Sequence, residues 1–426
     1  MAGFYAFRAT RYACDGEELS RKLCPPYDII SPSEREELVN RDKDNFVTVE
    51  LPSGSDPYGS AAKNLEDMLS RGVLKRDADP AFYIYEEEFT VRGETKKIRG
   101  IIGELKLAEF SEGVVLPHEE TLSKAKEDRF RLLEATRTNT SLIYSMFDDP
   151  RGEVEAALNG ICAGEPDQCA PGDDGTVHRL WVSRDPGTNA ALTRLFEDKK
   201  LYIADGHHRY ETALNYRRAM AAKGADPETD PCGRVMMFVI DIRHEGLVVF
   251  PTHRMVRNIE GFDPEALLEK ISRDFEISVC TPEKLEEAVG ADRSRRRIGF
   301  YAGRGLCRVL TLKDESATDP VPDHCAAYKG LDVTALHYLI LERHLGIDKS
   351  NMASQKNLIY TRDVGEAVRG VDAGEINCAF ILNPTLISQI ADVALAGDKM
   401  PQKSTYFYPK LVTGLVMRQL EDRKEK

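Results

Sequence analysis

Two kinds of hydrophobic pattern alternate along the chain. Short apolar or alternating runs predict strands, and segments whose apolar side chains recur every three or four residues predict helices. The predicted strands are residues 4–10, 45–51, 81–91, 97–109, 141–147, 177–182, 201–204, 234–242, 247–250, 297–301, 307–312, 358–361 and 379–382. The predicted helices are residues 61–71, 187–198, 210–220, 264–275, 282–289, 333–345, 363–370 and 385–396, with one opening at Pro32 and a terminal one from Leu411. This mixture predicts a mixed α/β fold.

The sharpest polar feature is the turn between the predicted strand 201–204 and the predicted helix 210–220. It reads Asp205, Gly206, His207, His208 and Arg209. An abrupt strand-to-helix turn points the free N–H groups of the helix at whatever lies in the turn, which suits an anion. The glycine permits a close backbone approach, and the guanidinium offers a fork of donors for phosphate. A plainer interpretation remains open, in which the aspartate caps the helix and the histidines are merely exposed.

A second polar loop, centred on His118 and Glu119, is followed by a charged helix. Adjacent imidazole and carboxylate groups suit acid–base or metal chemistry. Alternatively, Glu119 and Glu120 lie in the first turn of that helix, where their charge is favourable. His253 and Arg254, after the predicted strand 247–250, either face the pocket of the turn or are satisfied structural residues.

Composition narrows the class of protein. The 426 residues allow more than one domain, and the formal net charge of −13 argues against a DNA or RNA partner. The basic block 293–297 is interpreted as a solvated turn. The nine cysteines form no Cys-x-x-Cys pair, which favours a reduced, cytoplasmic setting over a zinc site. We expect no membrane span, because no stretch approaches about 18 apolar residues.

The turn also carries a family resemblance. Asp205 to Tyr210 with Ala213 resembles the box of the ParB/sulfiredoxin-like superfamily, in which such a segment at a helix start holds nucleotide phosphates. The free L-serine kinases share the Asp-Gly-His-His-Arg version. Much of the chain also resembles a widespread prokaryotic family of unassigned function, through the segments Cys24–Ile30, Pro117–Thr121, Asp128–Arg129, Pro251–Arg254 and Met400–Lys410.

The resemblance implies a ParB/sulfiredoxin-like nucleotide-binding core with additional N-terminal and C-terminal α/β segments. We expect an N-terminal and central catalytic region over residues 1–255, with the box at 204–214. A C-terminal α/β domain over residues 256–426 would close over the site. ATP or ADP with Mg²⁺ would be the cofactors, a small molecule the substrate, and a homodimer is allowed.

Phosphoryl transfer needs cations or oriented N–H groups on the phosphates, a base for the acceptor hydroxyl, and usually magnesium. The base would be Asp205 or Glu119, whose pKa a desolvated pocket would raise toward neutrality. The same carboxylates would ligate magnesium. The expected roles are catalytic for Asp205, His207, His208 and Glu119; nucleotide-binding for Gly206, Arg209, Arg129, Lys403, Ser404 and Thr405; and substrate-binding for His118, Asp28, His253 and Arg254.

Three functions remain in competition. The first is a nucleotide-dependent kinase for a hydroxyl amino acid such as free L-serine. The second is a nucleotide-binding regulator or scaffold that performs no transfer. The third is a metal-dependent hydrolase using His118, Glu119, His207 and His208.

Overall fold

A computed structural model of the chain describes residues 2–121 and 123–420, without the side chains of residues 123–125 and 353. The chain divides into two compact units. The first lies within Met1–Pro117, Thr121–Leu247 and Pro409–Lys426, and the second consists of His118–Glu120 and Val248–Tyr408. The main segment of the second unit begins at Val248, and residues 409–420 lie with the first unit. The predicted domain boundary at residue 255 stays a prediction.

The first unit is built on a mixed sheet. Up to residue 247, the strands of this unit are β1 (Phe4–Tyr5), β2 (Thr10–Tyr12), β3 (Leu74–Arg76), β4 (Phe82–Val91), β5 (Glu94–Lys106), β6 (Val115–Leu116), β7 (Thr138–Asn139), β8 (Ile143–Phe147), β9 (Gln168–Pro171), β10 (Val177–Ser183), β11 (Leu201–Asp205) and β12 (Arg234–Asp241). The nine-stranded sheet has the order β6-β11-β8-β12-β5-β4-β10-β9, with β1 also paired to β5. Its β12–β8 and β11–β6 pairs are parallel, and its other pairs are antiparallel.

The helices of the first unit are α1 (Gly16–Lys22), α2 (Pro32–Arg41), α3 (Val47–Glu50), α4 (Pro57–Ser70), α5 (Ser123–Thr136), α6 (Glu153–Ile161), α7 (Pro186–Phe196) and α8 (His207–Ala222). The apolar faces of α6, α7 and α8 pack with the sheet in one hydrophobic core. Strand residues alternate between the two faces. On β4, Phe82 and Ile84 belong to this core, whereas Tyr83, Tyr85 and Glu87 occupy the alternate positions.

The second unit contains a six-stranded sheet of order β15-β17-β16-β19-β14-β18. The strands of this unit are β13 (Val248–Phe250), β14 (His253–Val256), β15 (Phe275–Val279), β16 (Arg297–Tyr301), β17 (Cys307–Leu312), β18 (Leu358–Thr361), β19 (Cys378–Ile381) and β20 (Tyr406–Tyr408). Its helices are α9 (Pro264–Ile271), α10 (Leu285–Gly290), α11 (Ala326–Lys329), α12 (Asp332–Leu336), α13 (Arg343–Leu345), α14 (Lys349–Ser354), α15 (Val364–Asp372) and α16 (Ile387–Leu395). A π-helical turn, His337–Glu342, joins α12 to α13, and β13 pairs with β20.

The prediction of a mixed α/β protein is confirmed, as is the hairpin of β4 and β5. The glycines of β5 mark a close approach, since a Cβ at Gly100 would lie 2.5 Å from the ring of Phe238. The helix opening at Pro32 is also confirmed. It begins with a capping box in which Ser31 accepts from the N–H of Glu34 and the Glu34 side chain accepts from the N–H of Ser31.

Several predicted elements are wrong. The predicted strand 45–51 contains the helix α3 instead. At its start, Oδ1 of Asn45 accepts a hydrogen bond from the N–H of Val47 at 2.9 Å. The predicted helix 264–275 ends at Ile271, and Phe275 opens β15. The predicted terminal helix is extended through Leu420 and carries a last strand, β21 (Arg418–Gln419), which pairs with β7. Pairing with distant strands overrides local helix propensity there.

Candidate functional site

The turn between β11 and α8 is the start of the candidate site. β11 ends at Asp205, and Gly206 caps the 16-residue helix with φ +93°. A Cβ at Gly206 would lie 3.1 Å from Nε of Arg209 and 3.3 Å from Cα of Ile143. Glycine is therefore required both for the left-handed backbone and for the close approach. The first N–H groups of α8, which have no hydrogen-bond acceptor within the helix, lie at this turn.

The carboxylate of Asp205 lies between two cations. Its Oδ2 accepts from Nη2 of Arg209 at 2.6 Å, and its Oδ1 accepts from Nζ of Lys410. All three side chains are largely buried. Burial raises the pKa of Asp205, but Lys410 and Arg209 outweigh burial, and its pKa falls below the usual value. The expectation that a desolvated pocket raises this pKa toward neutrality is wrong for Asp205, because two cations accompany the desolvation.

Arg209 ties the turn to a neighbouring strand. Besides Asp205, its guanidinium donates to the backbone oxygen of Leu142. Burial lowers its pKa, but the nearby carboxylates of Asp205 and Asp28 raise the pKa by more than burial lowers it, and the net pKa is raised. Arg209 is thus a fully charged, largely buried guanidinium with Asp28 in its surroundings. The structure brings together the box and the predicted substrate residue Asp28 in the first unit.

Arg129 is part of the same unit and is also buried. Its Nη1 donates to the backbone oxygen of Glu50 at 2.8 Å, and its Nη2 donates to Asp128 at 2.6 Å. Its guanidinium lies 4.0 Å from the ring centroid of Tyr27. Burial raises the pKa of Tyr27 to about 12, although Arg209 and Arg129 lower it. Arg129 therefore contacts the ring of Tyr27, and its predicted role as a phosphate clamp stays a prediction.

The two histidines of the box begin α8. His207 is buried, with 2% of its surface exposed, whereas His208 is half-buried. The interpretation of merely exposed histidines does not fit His207, because that side chain is buried.

The remaining predicted residues belong to the second unit. His118 is buried, and its Nε2 lies 3.0 Å from Oγ1 of Thr405. Its backbone oxygen accepts from the N–H of Met400. Glu119 is half-buried, and Lys403 is exposed at φ +54°. The structure thus joins two predicted residues, His118 and Thr405.

Ser404 and His253 have backbone partners in the second unit. Ser404 is buried and donates its hydroxyl to the backbone oxygen of Pro401 at 2.5 Å. Nδ1 of His253 accepts from the N–H of Leu382 at 3.2 Å. Arg254 is fully buried on β14.

A protein-held magnesium ion does not fit the donor set at the box. Each carboxylate oxygen of Asp205 already accepts from a cation, whereas Mg²⁺ demands several oxygen ligands in octahedral geometry. Over residues 2–121 and 123–420, no group of three or more His, Cys, Asp or Glu side chains could hold a metal ion. Among the same residues, no helix has both the length and the apolar character needed to cross a membrane.

Sequence reasoning missed Lys410 and Tyr27. Both lie in segments that carry the wider resemblance, Cys24–Ile30 and Met400–Lys410, and that placement is the signal that would have found them. Local pattern alone says nothing of either residue, because their partners are distant in the chain.

Comparisons with known proteins add a family. No curated protein matches the chain. Among solved structures, it is similar to a conserved hypothetical protein from Pyrococcus furiosus, with TM-score 0.33 and 14% identity over 72% of this chain and 90% of that one. It is similar to a free serine kinase in complex with AMP, with TM-score 0.36 and 13% identity over 73% and 88%. It is also similar to SbnI with a C-terminal truncation from Staphylococcus aureus, with TM-score 0.36 and 12% identity over 75% and 90%. The sequence profile of the family described as "Protein of unknown function (DUF1015)" matches residues 4–334, and the chain therefore belongs to the DUF1015 family.

Proposed function

We propose that the protein is a nucleotide-dependent kinase that transfers a phosphoryl group to a small hydroxyl amino acid such as free L-serine. The observation that carries the proposal is the buried Asp205 carboxylate flanked by Lys410 and Arg209 at the start of α8. The acceptor class follows from the resemblance of the box to that of the free L-serine kinases.

Three elements that bind anions meet at this turn. The N-terminus of a 16-residue helix carries a partial positive charge, Arg209 supplies a planar fork of donors, and Lys410 supplies a compact ammonium. The terminal phosphate of a nucleotide spreads its negative charge over several oxygens and takes such donors readily. We assign Arg209, Lys410 and the backbone at Gly206 to that phosphate.

Asp205 is assigned to the acceptor hydroxyl. In the transfer, the acceptor oxygen forms a bond to the terminal phosphorus, and the bond from that phosphorus to the bridging oxygen breaks. The nucleotide leaves with one phosphate fewer. The hydroxyl proton passes to the Asp205 carboxylate, which its cationic partners keep ionised near neutral pH. A loose transition state needs little basicity, so a carboxylate of lowered pKa suffices.

The test uses the full-length protein with L-serine, MgCl₂ and either ATP or ADP. We expect ³¹P NMR to show O-phosphoserine with one of the two nucleotides. Arg209→Gln should reduce the rate by about 100-fold or more, because a charged donor to the transferred group is worth several kcal/mol. Arg218→Gln is the matched control, since Arg218 is on the same helix with 57% of its side chain exposed.

Two results would contradict the kinase. The first is the absence of phosphoserine, or of any other phosphorylated hydroxyl amino acid, with both nucleotides. The second is an Arg209→Gln variant that folds and turns over at the wild-type rate. If nucleotide raises the melting temperature without any transfer, the protein is instead a nucleotide-binding regulator.

A further inference from the structure

The second unit holds a pair of cysteines on neighbouring strands. Cys280 directly follows β15, and Cys307 is the first residue of β17. The two strands are antiparallel, with Val279 opposite Arg308. The next position of this register sets Cys280 opposite Cys307, and the N–H of Cys280 donates to the backbone oxygen of Cys307 at 3.1 Å. Two thiols that are distant in the chain therefore lie side by side.

The position of the pair suits a disulfide between the strands. Opposite residues that share a ladder hydrogen bond in an antiparallel pair have Cα atoms about 5.5 Å apart, and a disulfide spans about 4.4–6.8 Å. Cys280 and Cys307 also pack in the same hydrophobic cluster, so their side chains lie on one face of the sheet. A bond between the two sulfur atoms therefore needs little movement of the backbone.

The two side chains interact directly. Burial raises the pKa of Cys307 to about 12, and the adjacent Cys280 thiol, which is hydrogen-bonded to it, raises that pKa as well. All nine cysteines of the chain are free thiols in the structure, so the pair is in its reduced form.

The two thiols differ in exposure. Cys280 is half-buried, and its Sγ donates to the backbone oxygen of Thr281 at 3.4 Å, whereas Cys307 is 0% exposed. A small oxidant in solution therefore reaches Cys280 first. Burial keeps Cys307 in the thiol form, which reacts slowly with such an oxidant. An accessible thiol with a second, resolving thiol beside it is the arrangement of a redox-sensing pair.

Metal binding does not explain the pair. A structural zinc site takes four ligands, and two thiolates supply half of them. Within the described ranges 2–121 and 123–420, no group of three or more His, Cys, Asp or Glu side chains could hold a metal ion. The chemistry that two adjacent thiols can perform by themselves is the formation of a disulfide.

We propose that Cys280 and Cys307 form a reversible redox site, which a peroxide oxidises to a disulfide and a dithiol reduces again. The sulfur of Cys280 attacks a peroxide oxygen and the O–O bond breaks, which leaves a sulfenic acid on Cys280 and, from H₂O₂, one water. The sulfur of Cys307 then bonds to that of Cys280 as the S–O bond breaks, and its proton leaves in a second water. The two thiols lose the two electrons that the peroxide gains.

Oxidation fastens an edge of the fold. β15 is at the edge of the six-stranded sheet and pairs with β17, and the disulfide joins the end of β15 to the start of β17. The bond closes a loop that contains α10 and β16, and closing a loop restricts the unfolded chain. The oxidised second unit is therefore the more stable form. The site is independent of the proposed kinase and needs no nucleotide.

The test is mass spectrometry of the full-length protein, reduced and then treated with H₂O₂, with the remaining thiols blocked by N-ethylmaleimide. Trypsin releases Cys280 in the peptide 274–284 and Cys307 in the peptide 305–308. We expect these two peptides to appear joined after peroxide and separate after dithiothreitol. The oxidised protein should also unfold at a higher urea concentration than the reduced protein.

Single variants test the order of the two steps. In Cys307→Ala, the sulfenic acid on Cys280 has no resolving thiol, so its capture by dimedone should rise about 10-fold or more over the wild type. In Cys280→Ser, the buried Cys307 should lose its thiol about 10-fold more slowly or less. Cys325→Ser is the matched control, since Cys325 is another half-buried cysteine of this unit and its Sγ accepts from the N–H of Tyr328 at 3.4 Å. It should form the joined peptides as the wild type does.

Three results would overturn the redox site. The first is a peroxide-treated wild type in which the peptides 274–284 and 305–308 keep free thiols. The second is a wild type in which Cys280 proceeds to the sulfinic acid without joining Cys307. The third is a Cys280→Ser variant whose Cys307 is oxidised at the wild-type rate. Cys280→Ser keeps the test decisive if Cys307→Ala does not fold, because position 280 is half-buried and serine preserves size.

Discussion

Lys410 donates a hydrogen bond to Oδ1 of Asp205, although 205 positions separate the two residues in the chain. Lys410 lies in the segment 409–420. Further along this segment, Nε of Arg418 donates to Oε2 of Glu104 at 2.7 Å and attaches the segment to the first unit. The end of the described chain is therefore part of the candidate site in the first unit.

Replacing Lys410 should raise the pKa of Asp205 and weaken nucleotide binding. In Lys410→Met, burial of the carboxylate remains while one of two cations is lost. The pKa of Asp205 in the folded protein lies below its unfolded value, so its stabilisation is present above the unfolded pKa and is lost as pH falls through the folded pKa. Lys410→Met should lose stability at pH 7 and show a flatter pH dependence in acid, by urea unfolding.

Nucleotide affinity should fall about 10-fold or more in Lys410→Met, because an ammonium–phosphate contact is lost. Lys223→Met is the control, since Lys223 follows the last residue of α8 and has 62% of its side chain exposed. Unchanged nucleotide affinity in folded Lys410→Met would remove Lys410 from the phosphate site.

Gly206→Ala should destabilise the protein by more than Gly224→Ala. Both glycines have a left-handed backbone, with φ +93° and +97°. A Cβ at Gly224 meets nothing within 4 Å, whereas one at Gly206 approaches Arg209 and Ile143. We expect a loss of about 1 kcal/mol for Gly224→Ala and about 2–3 kcal/mol for Gly206→Ala in urea unfolding. Equal losses would show that the crowding at Gly206 is relieved without cost.

Arg129→Gln should destabilise the first unit strongly. The substitution removes the guanidinium that pairs with Glu50, whose side chain stays buried with 0% of it exposed. Removing one partner of a buried pair costs about 3–5 kcal/mol. Arg131→Gln is the control on the same helix, because its side chain is 58% exposed and pairs with Glu127 at the surface. A loss at Arg129 as small as that at Arg131 contradicts the structural role.

Glu87→Gln should abolish a pH dependence of stability. Oη of Tyr85 lies 2.7 Å from Oε2 of Glu87 and 2.8 Å from Nδ1 of His178. Burial raises the pKa of Glu87 to about 8, and it lowers the pKa of His178 to about 4.

The sign of the effect follows from proton counting. Between pH 6.5 and 8 the folded state holds a proton on Glu87 that the unfolded state has released, so wild-type stability falls as pH rises. His178 is neutral in the folded state over this window, and its partial protonation in the unfolded state near pH 6.5 is the same in wild type and Glu87→Gln. The fall attributable to Glu87 is about 1.5 kcal/mol. Urea unfolding of Glu87→Gln across the window should lack it, and a parallel slope in both proteins would contradict the raised pKa.

Local pattern was enough for the elements whose signals are local. The strand–glycine–helix turn at Gly206 and the cap of α2 at Ser31 depend on residues within a few positions, so both could be read in order along the chain. The segment 45–51 could not, because periodicity alone does not distinguish a short buried helix from a strand in so short a run of apolar residues.

The pKa of Asp205 could be predicted only from the tertiary structure. Asp205 has a carboxylate's ordinary pKa until the fold places Arg209 and Lys410 against it, and burial alone would have moved that pKa in the opposite direction. The sequence by itself determined the mixed α/β class, the turn at Gly206 and the residue types gathered there, since these follow from backbone sterics and periodicity. Only the tertiary structure decided that the last segment returns to the first unit and that Cys280 lies opposite Cys307. Both depend on contacts between residues far apart in the chain, which local periodicity does not encode.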